Sequence, residues 1–246
     1  PDRAKYDLTS LKGSVMAAAS APVPLWDRVV KELGLIELCT GYGQTETHGG
    51  TCFTLPNATI DTLSHRVGLV RPAGAAALPE FHGSCCEYKV IDPITGRDLP
   101  QGVEGELVCR GATITRGYYK SPEVNARVFD KDGWMRTGDL GIIHNDGYIQ
   151  FTGRSKELYI VGGELVAPVE VENCITQHPK VNQIHIVGVP DAMLGEVGFA
   201  YIELKPGETC TKTEIVSFCK KRLARYKVPT YVKFIPASEF PLTSTG

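Results

Sequence analysis

Long apolar runs are missing from this sequence: none approaches the length needed to span a bilayer, and no secretory signal is visible. Charge excess is missing too. Lys and Arg total 26 against 28 Asp and Glu, for a net charge of -2 and a pI near 6.4. That balance gives no electrostatic case for nucleic acid or an anionic membrane as a partner. No cysteine pair has the two-residue spacing of a zinc knuckle or redox site; the eight are Cys39, Cys52, Cys85, Cys86, Cys109, Cys174, Cys210 and Cys219. They read as reduced, half-buried small hydrophobes, which points to a reducing compartment, the cytoplasm or an organelle matrix. The six histidines form no ligand pattern. Repeats and low-complexity stretches are absent as well.

What is present is an ordinary globular composition over 246 residues, 42% hydrophobic and 22% charged. PLWDRVVKEL, Pro24 to Leu33, predicts a helix: Pro suits the first turn, Trp26, Val29, Val30 and Leu33 share a face, and Gly34 stops it. Ile36 to Cys39 reads as a short strand leading into a glycine-rich loop. From about Arg66 to Phe151 the texture is short strands and turns, with a hairpin about Asn145-Asp146-Gly147. Ser121-Pro122-Glu123 predicts a short helix with Ser as cap.

After Gly153 strands and helices alternate. LYIVG, QIHIVGV, VGFAYIEL and YVKFI are strands; Pro168 opens one helix, and Thr211-Lys212-Thr213-Glu214 opens another with a capping-box pattern. The expected organisation is an α/β part over residues 1–65, a β-rich part over 66–152, and a compact α+β unit over 153–246. The stretch TGRSK supplies a small polar linker.

Four stretches are unusual for packing. In GYGQTETHGG, Gly41 to Gly50, glycines let backbone N–H groups approach a ligand. Tyr42 offers a flat face, Gln44, Thr45 and Thr47 offer neutral polar groups, and Glu46 a carboxylate. A phosphate with a divalent cation fits that set better than a phosphate alone; by itself the stretch is equally a solvated turn. In GWMRTGDLG, Asp139 beside glycine suits two vicinal hydroxyls, as acidic residues do with ribose, or caps a turn. TGRSKELYIVGGELVAP sets Arg154 and Lys156 beside glycine and adds Gly162-Gly163. The fourth is the terminal PLTSTG, which reads as a turn.

Taken in order, YGQTE, GELVCRG followed by GYYKSPE, WMRTGD, GRSKE and GGELVAPVEVE resemble the AMP-forming acyl-CoA synthetases of the adenylate-forming superfamily. The likeness runs over essentially the whole chain and is strongest to fatty- and medium-chain ligases. It implies the end of a large AMP-binding domain, with a small β-barrel-like subdomain, followed by a compact α+β domain. The implied reaction couples a carboxylic acid to ATP, giving an acyl-adenylate, and passes the acyl group to coenzyme A.

The resemblance implies roles residue by residue. Gly41, Tyr42, Gly43, Gln44 and Thr45 bind nucleotide, with Tyr42 on adenine and Thr45 at the α-phosphate. Glu46 holds Mg²⁺, Asp139 takes the ribose hydroxyls, and Arg154 reaches the ribose or phosphates. Lys156 occupies a hinge, and Gly163 leaves room for the thiol arm of coenzyme A. Thr45, Glu46 and Lys156 are the residues carried over as catalytic. GSVMAAASAP stands where the family has a glycine-rich loop beside adenine and the acyl pocket, so Ala17-Ala18-Ala19 bring methyl groups there. The family's phosphate loop and the lysine that follows its proline-leucine-threonine turn are not in this sequence. The expectation is therefore a fragment, cut at both ends, that gives no full turnover alone. Aryl-acid ligases, adenylation domains serving a carrier protein, and a non-catalytic nucleotide-binding module are the alternatives.

Overall fold

In the computed structural model, residues 5–17, 21, 23–73 and 79–240 are described. Ala18, Ala19 and the PLTSTG turn lie outside them. The chain divides into two compact units, Pro1–Phe151 and Thr152–Gly246.

The first unit holds a crossover: strand β1 (Gly13–Ala17), helix α1 (Val23–Leu33) and strand β2 (Glu37–Gln44). β1 and β2 are parallel, with Gly13 opposite Glu37 and Ala17 opposite Gly41. α1 is amphipathic and buries Trp26 completely. The indole N–H donates to the Ala21 carbonyl at 3.0 Å, which satisfies its one polar atom in an otherwise apolar cluster with Leu35, Leu38 and Leu63. Gly34, at φ +67°, ends the helix as expected, its N–H bonding Val30 O at 3.0 Å.

The expected glycine-rich loop is different. β2 continues through Gln44, a single 3-10 turn follows (Thr45–Thr47), and β3 (Gly49–Phe53) returns antiparallel. The glycines serve backbone contact here: a Cβ on Gly43 would lie 1.9 Å from the Gly49 carbonyl oxygen. Helix α2 (Ile60–His65), whose Thr59 cap accepts the Thr62 N–H, then leads to strand β4 (Leu69–Val70) beside β3.

A second sheet is a meander of β5 (Glu87–Ile91), β6 (Gly105–Arg110), β7 (Met135–Ile143) and β8 (Ile149–Arg154), the last strand running past Phe151, where the first unit ends. The Asn145–Gly147 hairpin forms between β7 and β8, closed by the His144 N–H on Tyr148 O at 2.9 Å. Helix α3 (Pro122–Val128) lies between β6 and β7 in sequence. Ser121 occupies its cap position, yet the side chain makes no capping bond and donates to Tyr119 O instead.

The second unit pairs β9 (Tyr159–Val161) with β10 (Glu164–Val166), then alternates helix α4 (Pro168–Thr176), β11 (Val181–Asp191), β12 (Gly195–Leu204), helix α5 (Lys212–Lys220) and β13 (Tyr231–Phe234). The sheet runs β10-β9-β12-β11, with β13 parallel to β12. Val171 and Ile175 of α4, Ile215 and Cys219 of α5, and Ile186, Ala200 and Ile202 of the sheet form its core. Each fully buried aliphatic side chain there contributes about 1.5–3 kcal/mol. The capping box is present: Thr211 Oγ1 accepts the Glu214 N–H, and Glu214 Oε2 accepts the Thr211 N–H at 2.8 Å.

All eight cysteines are free thiols, and Cys52, Cys85, Cys86, Cys109, Cys174 and Cys219 are buried. Among the described residues no helix is long and apolar enough to cross a membrane.

Candidate functional site

The parallel pair β1–β2 delivers the site. In open α/β sheets ligands gather beyond the carboxyl ends of parallel strands, and the YGQTE stretch begins just after Gly41, which pairs Ala17 of β1. Tyr42 sits on β2 with its ring against Phe151 and edge-on to Tyr88, centroids 6.4 and 6.1 Å away. Its hydroxyl donates to Asp139 Oδ2 at 2.6 Å. Burial first, then the Asp139 charge, pushes the Tyr42 phenol far above its ordinary range, so it serves as a donor and stays protonated. Gln44 Nε2 lies 3.4 Å from the same Asp139 oxygen.

Asp139 is 5% exposed, and the backbone of β7 explains how a buried carboxylate comes to face β2. The ladder with β6 breaks register here: Glu106 pairs Leu140 while Val108 pairs Arg136, so Thr137, Gly138 and Asp139 bulge opposite Leu107. Gly138 takes φ +74°. Thr137 Oγ1 donates to Leu107 O at 2.6 Å and accepts the Asp139 N–H at 3.1 Å. A second buried carboxylate, Glu106, also receives a backbone hydrogen bond from Gly138 and pairs with Arg136 at 3.3 Å. Burial raises its pKa, against the Arg136 charge, which lowers it.

Beyond β2 the 3-10 turn presents Thr45 exposed and Glu46 half-buried. Buried Thr47 accepts the Gln44 N–H at 3.0 Å, and His48, at φ +58°, closes the turn on Thr45 O. Residues from a distant segment hold the turn. His48 Nδ1 meets Thr113 O at 2.8 Å, the Thr115 N–H donates to Glu46 O at 2.7 Å, and Tyr118 Oη donates to Glu46 Oε1 at 2.7 Å. Among the described residues no group of three or more His, Cys, Asp or Glu side chains is placed to hold a metal ion. Glu46 with Thr45 beside it offers hard oxygen donors to a cation that brings phosphate and water as its other ligands.

Arg154, Lys156 and Gly163 belong to the second unit. Arg154 and Lys156 are exposed, on the turn that the Glu157 N–H closes on Arg154 O at 3.1 Å. Lys156 lines a cleft of about 350 Å³ with Tyr159, Glu172, His185 and Glu196. Glu172 pairs there with His185 Nδ1 at 3.0 Å, and that bond raises the His185 pKa. Gly163, at φ +92°, lies in the β9–β10 turn with open space where a Cβ would stand. Sequence reasoning missed Tyr88, Phe151, Glu106, Thr115 and Tyr118. GYYKSPE drew notice as a motif, but no local pattern links Tyr118 to Glu46.

Residues 1–119 match the family model for AMP-binding enzymes, and residues 170–246 match the model for the AMP-binding enzyme C-terminal domain. The chain belongs to the AMP-binding enzyme family. A mitochondrial medium-chain acyl-CoA ligase of Danio rerio is 36% identical over 246 residues, all of this chain and 38% of that protein. A 3-(7a-methyl-1,5-dioxo-octahydro-1H-inden-4-yl)propanoyl:CoA ligase of Rhodococcus jostii is 39% identical over 237 residues, 96% of this chain and 41% of its own. ATP-bound MatB from Rhodopseudomonas palustris superposes with a TM-score of 0.82 at 28% identity, covering 94% of this chain and 42% of MatB. The o-succinylbenzoate CoA synthetase of Bacillus subtilis, solved with its acyl-adenylate, gives 0.77 at 28% identity over 92% of this chain and 43% of its own. The chain thus spans about 40% of the length of these AMP-binding relatives.

Proposed function

We propose that the full-length protein is an AMP-forming acyl-CoA synthetase, which activates a carboxylic acid, fatty in the first instance, with ATP and transfers the acyl group to coenzyme A. The observation that carries this reading is the bond between Tyr42 and Asp139. It joins a strand-end aromatic to a buried carboxylate 97 residues away, pairing a surface for a base with an acceptor for ribose hydroxyls.

On this reading Tyr42 flanks adenine while its hydroxyl orients Asp139, and Gln44 steadies the same oxygen. Gly41 and Gly43, whose missing side chains let β3 close against β2, set the backbone at which the nucleotide binds. Thr45 donates to the α-phosphate, and Glu46 holds Mg²⁺. When bound, that cation neutralises charge on the phosphates. The protein's share is positioning and charge complementarity during nucleotidyl transfer. In the second unit Arg154 supplies a cation for ribose or phosphate, Lys156 a pivot, and Gly163 a backbone without a side chain for the thiol arm.

The test is carboxylate-dependent ATP–pyrophosphate exchange by the full-length protein across acids of increasing chain length, with AMP release followed with and without coenzyme A. Exchange with aliphatic acids and AMP release driven by coenzyme A supports the assignment. Exchange that only a carrier protein carries forward reassigns the acceptor. No exchange with any acid overturns the reading.

A further inference from the structure

Tyr118 stands outside every assigned role, and its surroundings are more ordered than an exposed tyrosine needs. The residue is 39% exposed and fills no core; Tyr119 beside it is 86% exposed. Yet its backbone is locked on both polar atoms. The Tyr118 N–H donates to Asn125 Oδ1 at 2.7 Å, and Asn125 Nδ2 donates back to Tyr118 O at 2.9 Å. Gly117 enters this clamp at φ +133°, where a Cβ would stand 3.0 Å from the Asn125 amide. Asn125 is fixed in turn by its place in α3, its N–H bonding Ser121 O at 3.0 Å. The clamp aims one group, the phenol oxygen, at Glu46 Oε1, 2.7 Å away.

We infer that Tyr118 is a positioning residue, whose hydroxyl fixes the Glu46 carboxylate so that its second oxygen faces a divalent cation held with the nucleotide. This rests on the reading of Glu46 given above. A glutamate on a short turn samples many rotamers, and binding a cation requires one of them. A neutral donor on Oε1 removes that freedom and leaves the carboxylate its charge. A lysine or arginine in the same place would repel the cation. The Thr115 bond to Glu46 O holds the backbone of the same residue, so the segment before α3 grips Glu46 at both ends. Partners that orient a metal-binding side chain in this manner typically change metal affinity by about 10–100-fold when removed.

The experiment uses the full-length protein and Mn²⁺ as probe, with free Mn²⁺ measured by electron paramagnetic resonance in the presence of α,β-methylene-ATP. Tyr118→Phe removes one oxygen from a half-exposed ring and leaves the fold intact, checked by thermal unfolding. It should weaken Mn²⁺ binding about tenfold. In a Glu46→Gln background it should change nothing further, because its effect travels through Glu46. In pyrophosphate exchange the Mg²⁺ requirement should rise while the rate at saturating Mg²⁺ stays near wild type. If Glu46→Gln weakens Mn²⁺ binding and Tyr118→Phe does not, the inference fails and the Glu46 assignment stands. An equal Tyr118→Phe effect in both backgrounds also overturns it. If neither variant moves Mn²⁺ binding, the metal assignment of Glu46 fails first and takes the inference with it.

Discussion

Asp139 shows how far a single hydrogen bond reaches in this protein. The carboxylate is buried, and Tyr42 supplies its short donor at 2.6 Å. Tyr42→Phe keeps the ring and removes the donor. The variant should lose about 1–3 kcal/mol of stability, the cost of stripping a partner from a buried charged group, and should bind ATP more weakly. Denaturant unfolding and equilibrium nucleotide binding check both. Glu46→Ala makes the complementary cut: it leaves Asp139 alone, so pyrophosphate exchange should fall sharply with little change in unfolding. Exchange at the wild-type rate would remove Glu46 from the site.

At the scale of elements, α5 carries a pH signature. Bonds from Lys180 first, then from the Thr211 backbone and hydroxyl, depress Glu214 to about 2 from an ordinary 4.5. A depressed carboxylate stabilises the fold above its unfolded value, and that stabilisation is lost as pH falls toward the folded one. Glu214→Gln should therefore lower the melting temperature at neutral pH, and the gap to wild type should narrow below about pH 4.5 and close near pH 2. A constant gap would mean the carboxylate charge is not what matters. The β7 bulge makes a second case. Gly138 sits at φ +74°, so Gly138→Ala should cost about 1 kcal/mol or more and displace Asp139. Thermal unfolding with nucleotide binding reads both effects.

These same elements show what the sequence discloses. The α5 box, the α1 stop at Gly34 and the Asn145–Gly147 hairpin are local chemistry, with donor and acceptor a few residues apart, and all are legible. The strand through Gln44 was not. Its glycines suggest a loop, but they are required by the closeness of β2 and β3, which only tertiary pairing reveals. Ser121 reads as a cap because of its position, while its hydroxyl finds Tyr119 O. The residues of the candidate site were nameable through motifs. What joins them, Tyr42 to Asp139 and Tyr118 to Glu46, spans 97 and 72 residues and leaves no periodic trace.

Over the whole molecule the two units have separate cores. Val171 and Ile186 are buried in the second, so Val171→Ala should destabilise that unit by about 1–3 kcal/mol. Its expression as residues 152–246 should give a cooperative unfolding transition in which the same loss appears.

The buried thiols give each unit its own clock. Burial pushes Cys52 and Cys109 in the first unit, and Cys219 in the second, up to about 12. Only a thiolate attacks an alkylating reagent, so these sulfurs are silent while folded. Half-buried Cys39 and Cys210 mark the prompt background. Every slower modification of the others then counts an opening event, and peptide mass assigns it to one unit or the other. The chain therefore carries an internal record of how often each half breathes, readable without a single engineered label.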